Sequence, residues 1–286
     1  MNNQNSFEKS QTGKLYLVPT PIGNLSDITF RAKEILNEVD YIAAEDTRHT
    51  GQLLKNLAIK KPMISFHEHN TQEKIPDILS LLESGHTIAQ VSDAGTPAIS
   101  DPGELLAKAA IEQDLTVISI PGPAAFLTAL VASGLDVQPF TYIGFLPRKK
   151  TQQLEKIEEI KAITHTTIFY EAPHRLKKTL ANLAEVLGES RRIVLARELT
   201  KIHEQYLRGT IAEISEYYQT NEPRGEYVLL VEGMQEATEE TVTPEELINE
   251  VNQSVASGVS KKDAIKEVAK QYKISKNELY ELYHRK

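Results

Sequence analysis

The 286-residue chain contains no cysteine. That absence excludes structural disulfides, Cys-ligated zinc, iron–sulfur clusters and a thiol nucleophile. No apolar run approaches the roughly 18 residues that would mark a membrane-spanning helix. The opening MNNQNSFEKSQTGK is polar and lacks the apolar core of a secretory signal. Also missing are G-x-G-x-x-G, G-x-x-x-x-G-K-[ST] and G-x-S-x-G, so a standard dinucleotide, P-loop or α/β-hydrolase site is unsupported. The expectation is a cytoplasmic protein that makes no use of a membrane.

What is present is an ordinary globular composition: 40% hydrophobic, 25% charged, with 14 Gly and 13 Pro. Disordered and collagen-like classes are excluded, and the length predicts about two domains. The net charge is −8. It is unevenly spread: residues 257–286 carry eight Lys and Arg against four Asp and Glu, so the rest of the chain carries −12.

The fold class expected is α/β. Five short apolar runs, Leu15–Val18, Tyr41–Ala44, Met63–Phe66, Thr87–Val91 and Thr116–Ile120, alternate with turns and helix-period stretches. Continuous rather than alternating apolarity points to strands covered on both faces, as in a parallel, doubly wound sheet. A break is expected over Gly134–Thr141. Beyond it, runs at Thr167–Tyr170, Ile193–Ala196, Gln205–Leu207 and Tyr227–Val231 predict a second α/β domain with a mixed sheet. Helices are expected at Lys149–Lys161, Pro173–Leu187 and Thr210–Tyr218. Thr243, Ser260 and Ser275 each precede an acid by three residues, the signature of a helix start, so three short helices of helix-turn-helix type should close the chain. The division expected is a disordered 1–13, an N-terminal α/β domain over 14–134, a C-terminal α/β domain over 135–234, an acidic linker over 235–242 and a helical extension over 243–286.

In an open parallel sheet, ligands bind beyond the carboxyl ends of the strands. The turns there are Pro19-Thr20-Pro21-Ile22-Gly23-Asn24, Glu45-Asp46-Thr47-Arg48-His49-Thr50, His67-Glu68-His69-Asn70, Ser92-Asp93-Ala94-Gly95-Thr96-Pro97 and Pro121-Gly122-Pro123-Ala124-Ala125. Small residues in them let a flat or elongated ligand reach backbone N–H and C=O groups.

The strings VPTPIGNLSDIT, AAEDTRHT, SFHEHN, VSDAGTPAISDPG and IPGPAA, with GFLPRK, FYEAPHR, ARELTK and RGEYVLLVEG, resemble the ribosomal RNA methyltransferase branch of the tetrapyrrole methylase superfamily. The resemblance spans about Lys14 to Gly233. It implies use of S-adenosylmethionine, methylation of a cytidine 2′-hydroxyl in the decoding region of 16S rRNA, two α/β domains with the cofactor between them, and a homodimer acting with the 30S subunit. It also implies that Pro21, Gly23, Ser92, Asp93, Ala94, Gly95, Thr96, Pro121, Gly122 and Pro123 hold the cofactor.

Methyl transfer of this kind needs alignment and a positioned base but no metal. Glu171 or His67 is expected to assist deprotonation, and Arg48 and Arg175 to orient RNA or its phosphate. His67 and His69 would make a metal pair only with a third ligand that the sequence does not identify. Glu45 and His174, and Glu198 with Lys201, lie in the same polar loops. Two basic patches, Arg148 to Lys150 and the lysines from Lys261 to Lys276, are candidate phosphate contacts. Two other readings fit the same residues: a same-fold methyltransferase with a tetrapyrrole or other small acceptor, and a non-catalytic ribosome-binding protein.

Overall fold

The structure is a computed structural model that describes residues 3–6, 8, 11–235, 243–272 and 274–284. It divides into two compact units, Met1–Met234 and Gln235–Lys286. Among the described residues no helix is long and apolar enough to cross a membrane.

The first unit begins with five parallel strands, β1 (Lys14–Leu17), β2 (Tyr41–Ala44), β3 (Met63–Ser65), β4 (Ile88–Val91) and β5 (Thr116–Ser119), in the order β3-β2-β4-β1-β5. Crossovers are made by α1 (Phe30–Glu38), α2 (Thr47–Asn56), α3 (Thr71–Glu83) and α4 (Gly103–Glu112). The two-residue period of a strand explains why the apolar runs are continuous. Ile42 and Ala44 pack with Leu36 of α1 and Leu54 of α2, whereas Ala43 packs with Leu82 of α3 and Leu106 of α4. Both faces are therefore covered, as expected of a doubly wound sheet.

The second sheet is mixed and ordered β6-β7-β10-β8-β9, from β6 (Phe140–Phe145), β7 (Thr166–Glu171), β8 (Arg192–Arg197), β9 (Gln205–Thr210) and β10 (Tyr227–Val231). β6 and β7 are parallel; β10 runs antiparallel to both β7 and β8. One face packs on α6 (Lys150–Lys161), α7 (Pro173–Leu187) and α8 (Ile211–Thr220) through Ile157, Leu180 and Ile214. The other face packs on α5 (Ala125–Val131) through Ala129 and Leu130, which lie against Ile168, Val194 and Leu230. α5 thus follows the first sheet in sequence but completes the core of the second.

The break expected over Gly134–Thr141 is irregular chain up to residue 139, and its last two residues, Phe140 and Thr141, open β6, an edge strand. Its alternation is obscured by Gly144 (φ +82°) and a register shift between Tyr142 and Gly144. Of the described N-terminal residues, Gln4 lies against the open edge of β5. There the Gln4 amide donates to the carbonyl of Val117 and accepts from its N–H, both at 2.9 Å.

The second unit contains α9 (Pro244–Ala256), α10 (Lys261–Gln271) and α11 (Lys276–His284), around a core of Leu247, Val251, Ile265, Val268 and Leu279. Thr243 and Glu246 form a reciprocal capping box, and Ser260 accepts from the N–H of Asp263, so the sequence signals start α9 and α10 where expected. Apart from Gln235, the acidic linker lies outside the described residues.

Candidate functional site

Because all five strands of the first sheet are parallel, their following loops share one edge. The strand order places the loops after β1, β4 and β5 side by side. Main-chain bonds join them: Thr20 and Gly95 exchange N–H to C=O bonds of 3.0 Å in both directions. The Thr96 hydroxyl donates to the Pro123 carbonyl at 2.8 Å. Asp101 braces the β4 loop from behind, accepting from the N–H groups of Ala98 and Gly103 at 2.8 Å each. It thereby holds Ala98 at φ +67°, a backbone conformation that costs an alanine about 1–3 kcal/mol.

Facing this edge are the carboxyl ends of β6, β7 and β8 and the start of β10. Between the two sets lies a cavity of about 610 Å³, within the ~300–1,000 Å³ range of small-molecule sites. Ser92 to Thr96, Ala124 and Ala125 supply small residues and main chain to its wall. Ile22, Ile99, Phe126, Phe145, Tyr170, Leu199 and Val228 supply an apolar surface. Tyr170 stands edge-on to both Tyr142 and Phe145, with centroids 5.3 and 5.5 Å away. Burial raises the Tyr170 phenol well above its ordinary pKa, so this wall stays uncharged. The Ser100 and Tyr142 hydroxyls, 2.8 Å apart, tie the β4 loop to β6.

Of the ten residues expected at a cofactor, Ser92, Asp93, Ala94, Gly95 and Thr96 line the cavity. Pro21, Gly23, Pro121, Gly122 and Pro123 do not line it. Gly122 packs so closely on Pro19 that an added Cβ would lie 2.6 Å from the Pro19 Cβ. Gly23 is pressed against Lys201 and Thr200 in the same way. Pro123 anchors Thr96. Pro21 precedes Ile22, which reaches the cavity wall in its place.

The four expected catalytic residues do not converge. Arg48 is 91% exposed and paired with Asp46 at 2.7 Å. That pairing holds the Asp46 carboxyl well below the usual carboxylate range. Neither Arg48 nor His67 lines the cavity; the Nδ1 of His67 is buried without a partner. Glu171 lies at the cavity wall, but its side chain has no exposed surface. It accepts from the Thr179 hydroxyl at 2.6 Å, the Ala172 N–H at 2.8 Å and the Arg175 Nε at 3.2 Å. Those bonds tie the carboxylate to α7 and Arg175. Arg175 in turn donates to the carbonyls of Leu146 and Pro147, which occupies the guanidinium expected to bind phosphate.

Two ionisable groups in the cavity wall are better placed. Glu45, at the end of β2, accepts only a long bond from the Asp93 N–H, at 3.4 Å. Its pKa is raised, first by burial and then by the neighbouring carboxylates of Asp93, Asp101 and Glu68. His174, in the first turn of α7, lines the cavity and also an adjoining groove. Both stand in polar loops noted in the sequence. The aromatic wall carried no sequence signal beyond its position next to turns.

A family profile described as Tetrapyrrole (Corrin/Porphyrin) Methylases matches residues 14–215. A protein of Streptococcus pyogenes serotype M3, named "Ribosomal RNA small subunit methyltransferase I", is 50% identical over 286 residues, covering 99% of each chain. A Bacillus subtilis protein of the same name is 46% identical over 292 residues, again covering 99% of each. Among solved structures, uroporphyrin-III C-methyl transferase from Thermus thermophilus complexed with S-adenyl homocysteine superposes with a TM-score of 0.55. It is 15% identical, and the match covers 77% of this chain and 97% of that one. The chain belongs to the tetrapyrrole methylase family, in the group whose full-length relatives carry the ribosomal RNA small subunit methyltransferase I name.

Proposed function

We propose that the protein transfers a methyl group from S-adenosylmethionine to the ribose 2′-hydroxyl of a cytidine in the decoding region of 16S rRNA, acting on the 30S subunit in the cytoplasm as a homodimer. The observation that carries this reading is the full-length identity to proteins of that name, together with an intact cavity where the family's loops converge.

The cavity suits the cofactor on its own chemistry. Ile22, Phe126 and Leu199 offer apolar surface to an adenine or a thioether, and Gly95, at φ +80°, turns the β4 loop without placing a side chain in the wall. Glu45 is an under-partnered carboxylate crowded by like charges, a setting that a bound cation would relieve. S-adenosylmethionine, held by Ile22, Asp93 to Thr96, Ala124 to Phe126 and Leu199, would supply an already activated methyl on a positively charged sulfur. The chain's remaining tasks are to hold the acceptor in line and to take its proton. Alignment alone can recover about 7–11 kcal/mol of barrier. We assign the proton to His174, because its imidazole stands where cavity and groove meet.

The test is transfer of labelled methyl to 30S subunits from a strain lacking the gene, with mass spectrometry of the modified nucleoside. A single 2′-O-methylcytidine in 16S rRNA is expected. Cofactor binding without transfer would move the reading to another acceptor, such as a tetrapyrrole. No cofactor binding would leave the non-catalytic ribosome-binding protein.

A further inference from the structure

A groove of about 740 Å³ adjoins the cavity and shares Phe145, Ala172 and His174 with it. Its charge is unlike that of the chain as a whole. Arg148, His174, Arg175 and Lys178 line it, and no Asp or Glu does, in a protein of net charge −8. Arg175 is neutralised by Glu171. Arg148 and Lys178, both exposed, have no ion-pair partner among the described residues. By contrast Lys150 and Lys177, which do not line the groove, are paired with Glu185 and Glu222 at 3.0 and 2.7 Å.

Helix geometry adds to the same field. α6 begins two residues after Arg148, and α7 begins beside Ala172; neither has a side-chain cap on its N-terminus. The start of the 12-residue α6, with its free N–H groups and dipole, therefore strengthens the positive potential of the two unpaired cations, whereas Glu171 takes up the Ala172 N–H at the start of α7. A small anionic cofactor would leave much of an open groove of this size unfilled. An extended polyanion that continues out of the cavity fills it.

We propose that this groove carries the phosphodiester backbone of the RNA strand flanking the nucleotide held in the cavity, with Arg148 and Lys178 each meeting one phosphate. The inference rests on the rRNA reading above and names where the acceptor strand runs. His174, at the junction, then faces the ribose at the point where the strand turns from groove to cavity.

The test uses the full-length protein, the single variants Arg148→Ala and Lys178→Ala, and the double variant. The readout is binding of a fluorescein-labelled single-stranded RNA dodecamer at several KCl concentrations, with S-adenosylhomocysteine binding measured by calorimetry. Each phosphate contact on a single strand contributes about 0.7 to the slope of log K against log salt. The slope should fall by about 0.7 in each single variant and about 1.4 in the double variant, with S-adenosylhomocysteine affinity unchanged. An unaltered slope in the double variant overturns the groove assignment. So does a parallel loss of S-adenosylhomocysteine affinity, which would make the groove part of the cofactor site. If the wild-type protein methylates 30S subunits while the double variant keeps its slope, only the groove assignment fails. If the wild-type protein neither binds the RNA nor methylates subunits, the rRNA reading fails with it.

Discussion

Replacing Glu171 with glutamine separates a structural role for this carboxylate from a catalytic one. The substitution keeps the shape and one oxygen but removes the charge that faces Arg175, whose side chain is only 18% exposed. Breaking a buried ion pair by removing one partner costs about 3–5 kcal/mol. Arg175 would keep its bonds to the Leu146 and Pro147 carbonyls and some solvent access, which places the cost at the lower end, about 3 kcal/mol. With a urea m-value of about 3 kcal/mol per molar, the unfolding midpoint should fall by about 1 M. The assay is urea unfolding followed by circular dichroism at neutral pH, alongside methyl transfer per folded molecule. Turnover of the folded fraction should fall far less than the ~10²- to 10⁴-fold expected on losing a general base. An unchanged midpoint with turnover abolished would refute the reasoning and put Glu171 on the reacting hydroxyl.

Gly122→Ala forces a Cβ to within 2.6 Å of the Pro19 Cβ. Overpacking of this kind costs ~1–3 kcal/mol, so melting should fall by several degrees and cofactor affinity should weaken; an unchanged Tm and affinity would contradict the packing described. Glu45→Gln removes a carboxyl whose folded pKa is raised, and ionising that carboxyl opposes folding. The cost is absent below the ordinary carboxylate pKa and complete above the raised one, so the variant should be more stable than wild type at pH 7 and equal to it at low pH. It should also bind S-adenosylmethionine about tenfold more weakly, the equivalent of ~1.4 kcal/mol; thermal scans across pH and calorimetry check both. Removal of residues 240 to 286 should weaken 30S binding more than S-adenosylhomocysteine binding, and equal losses would contradict a role for the basic helices in RNA contact.

The strands of the first sheet were legible because burial on both faces leaves continuous apolar runs, and Tyr41–Ala44 and Tyr227–Val231 match β2 and β10 residue for residue. β6 escaped because an edge strand needs apolar contacts on fewer sides, and Gly144 interrupts its pattern. Helix starts at Thr243 and Ser260 were readable because capping is local. The site was half legible. Ser92 to Thr96 face the cavity because a turn after a parallel strand must reach that edge. Glu171, in contrast, looks like any acid in a polar loop; only the fold reveals that Thr179, two turns along α7, and Arg175 consume it. The roles of Ile22 and Phe126 depend on the second sheet meeting them, a long-range fact absent from local pattern.

α5 carries one further consequence. It is connected to the first sheet through Pro121–Ala124 but embedded in the second through Ala129 and Leu130. A rigid-body rotation of one sheet against the other therefore cannot pivot at residue 134, where the sequence changes character, because α5 would have to leave its socket. Any such rotation would have to bend upstream, in the Pro-Gly-Pro segment whose last carbonyl is clasped by Thr96. The peptide units that join the two cores thus also brace the β4 loop through Thr96, so a substitution there should be felt in both sheets at once.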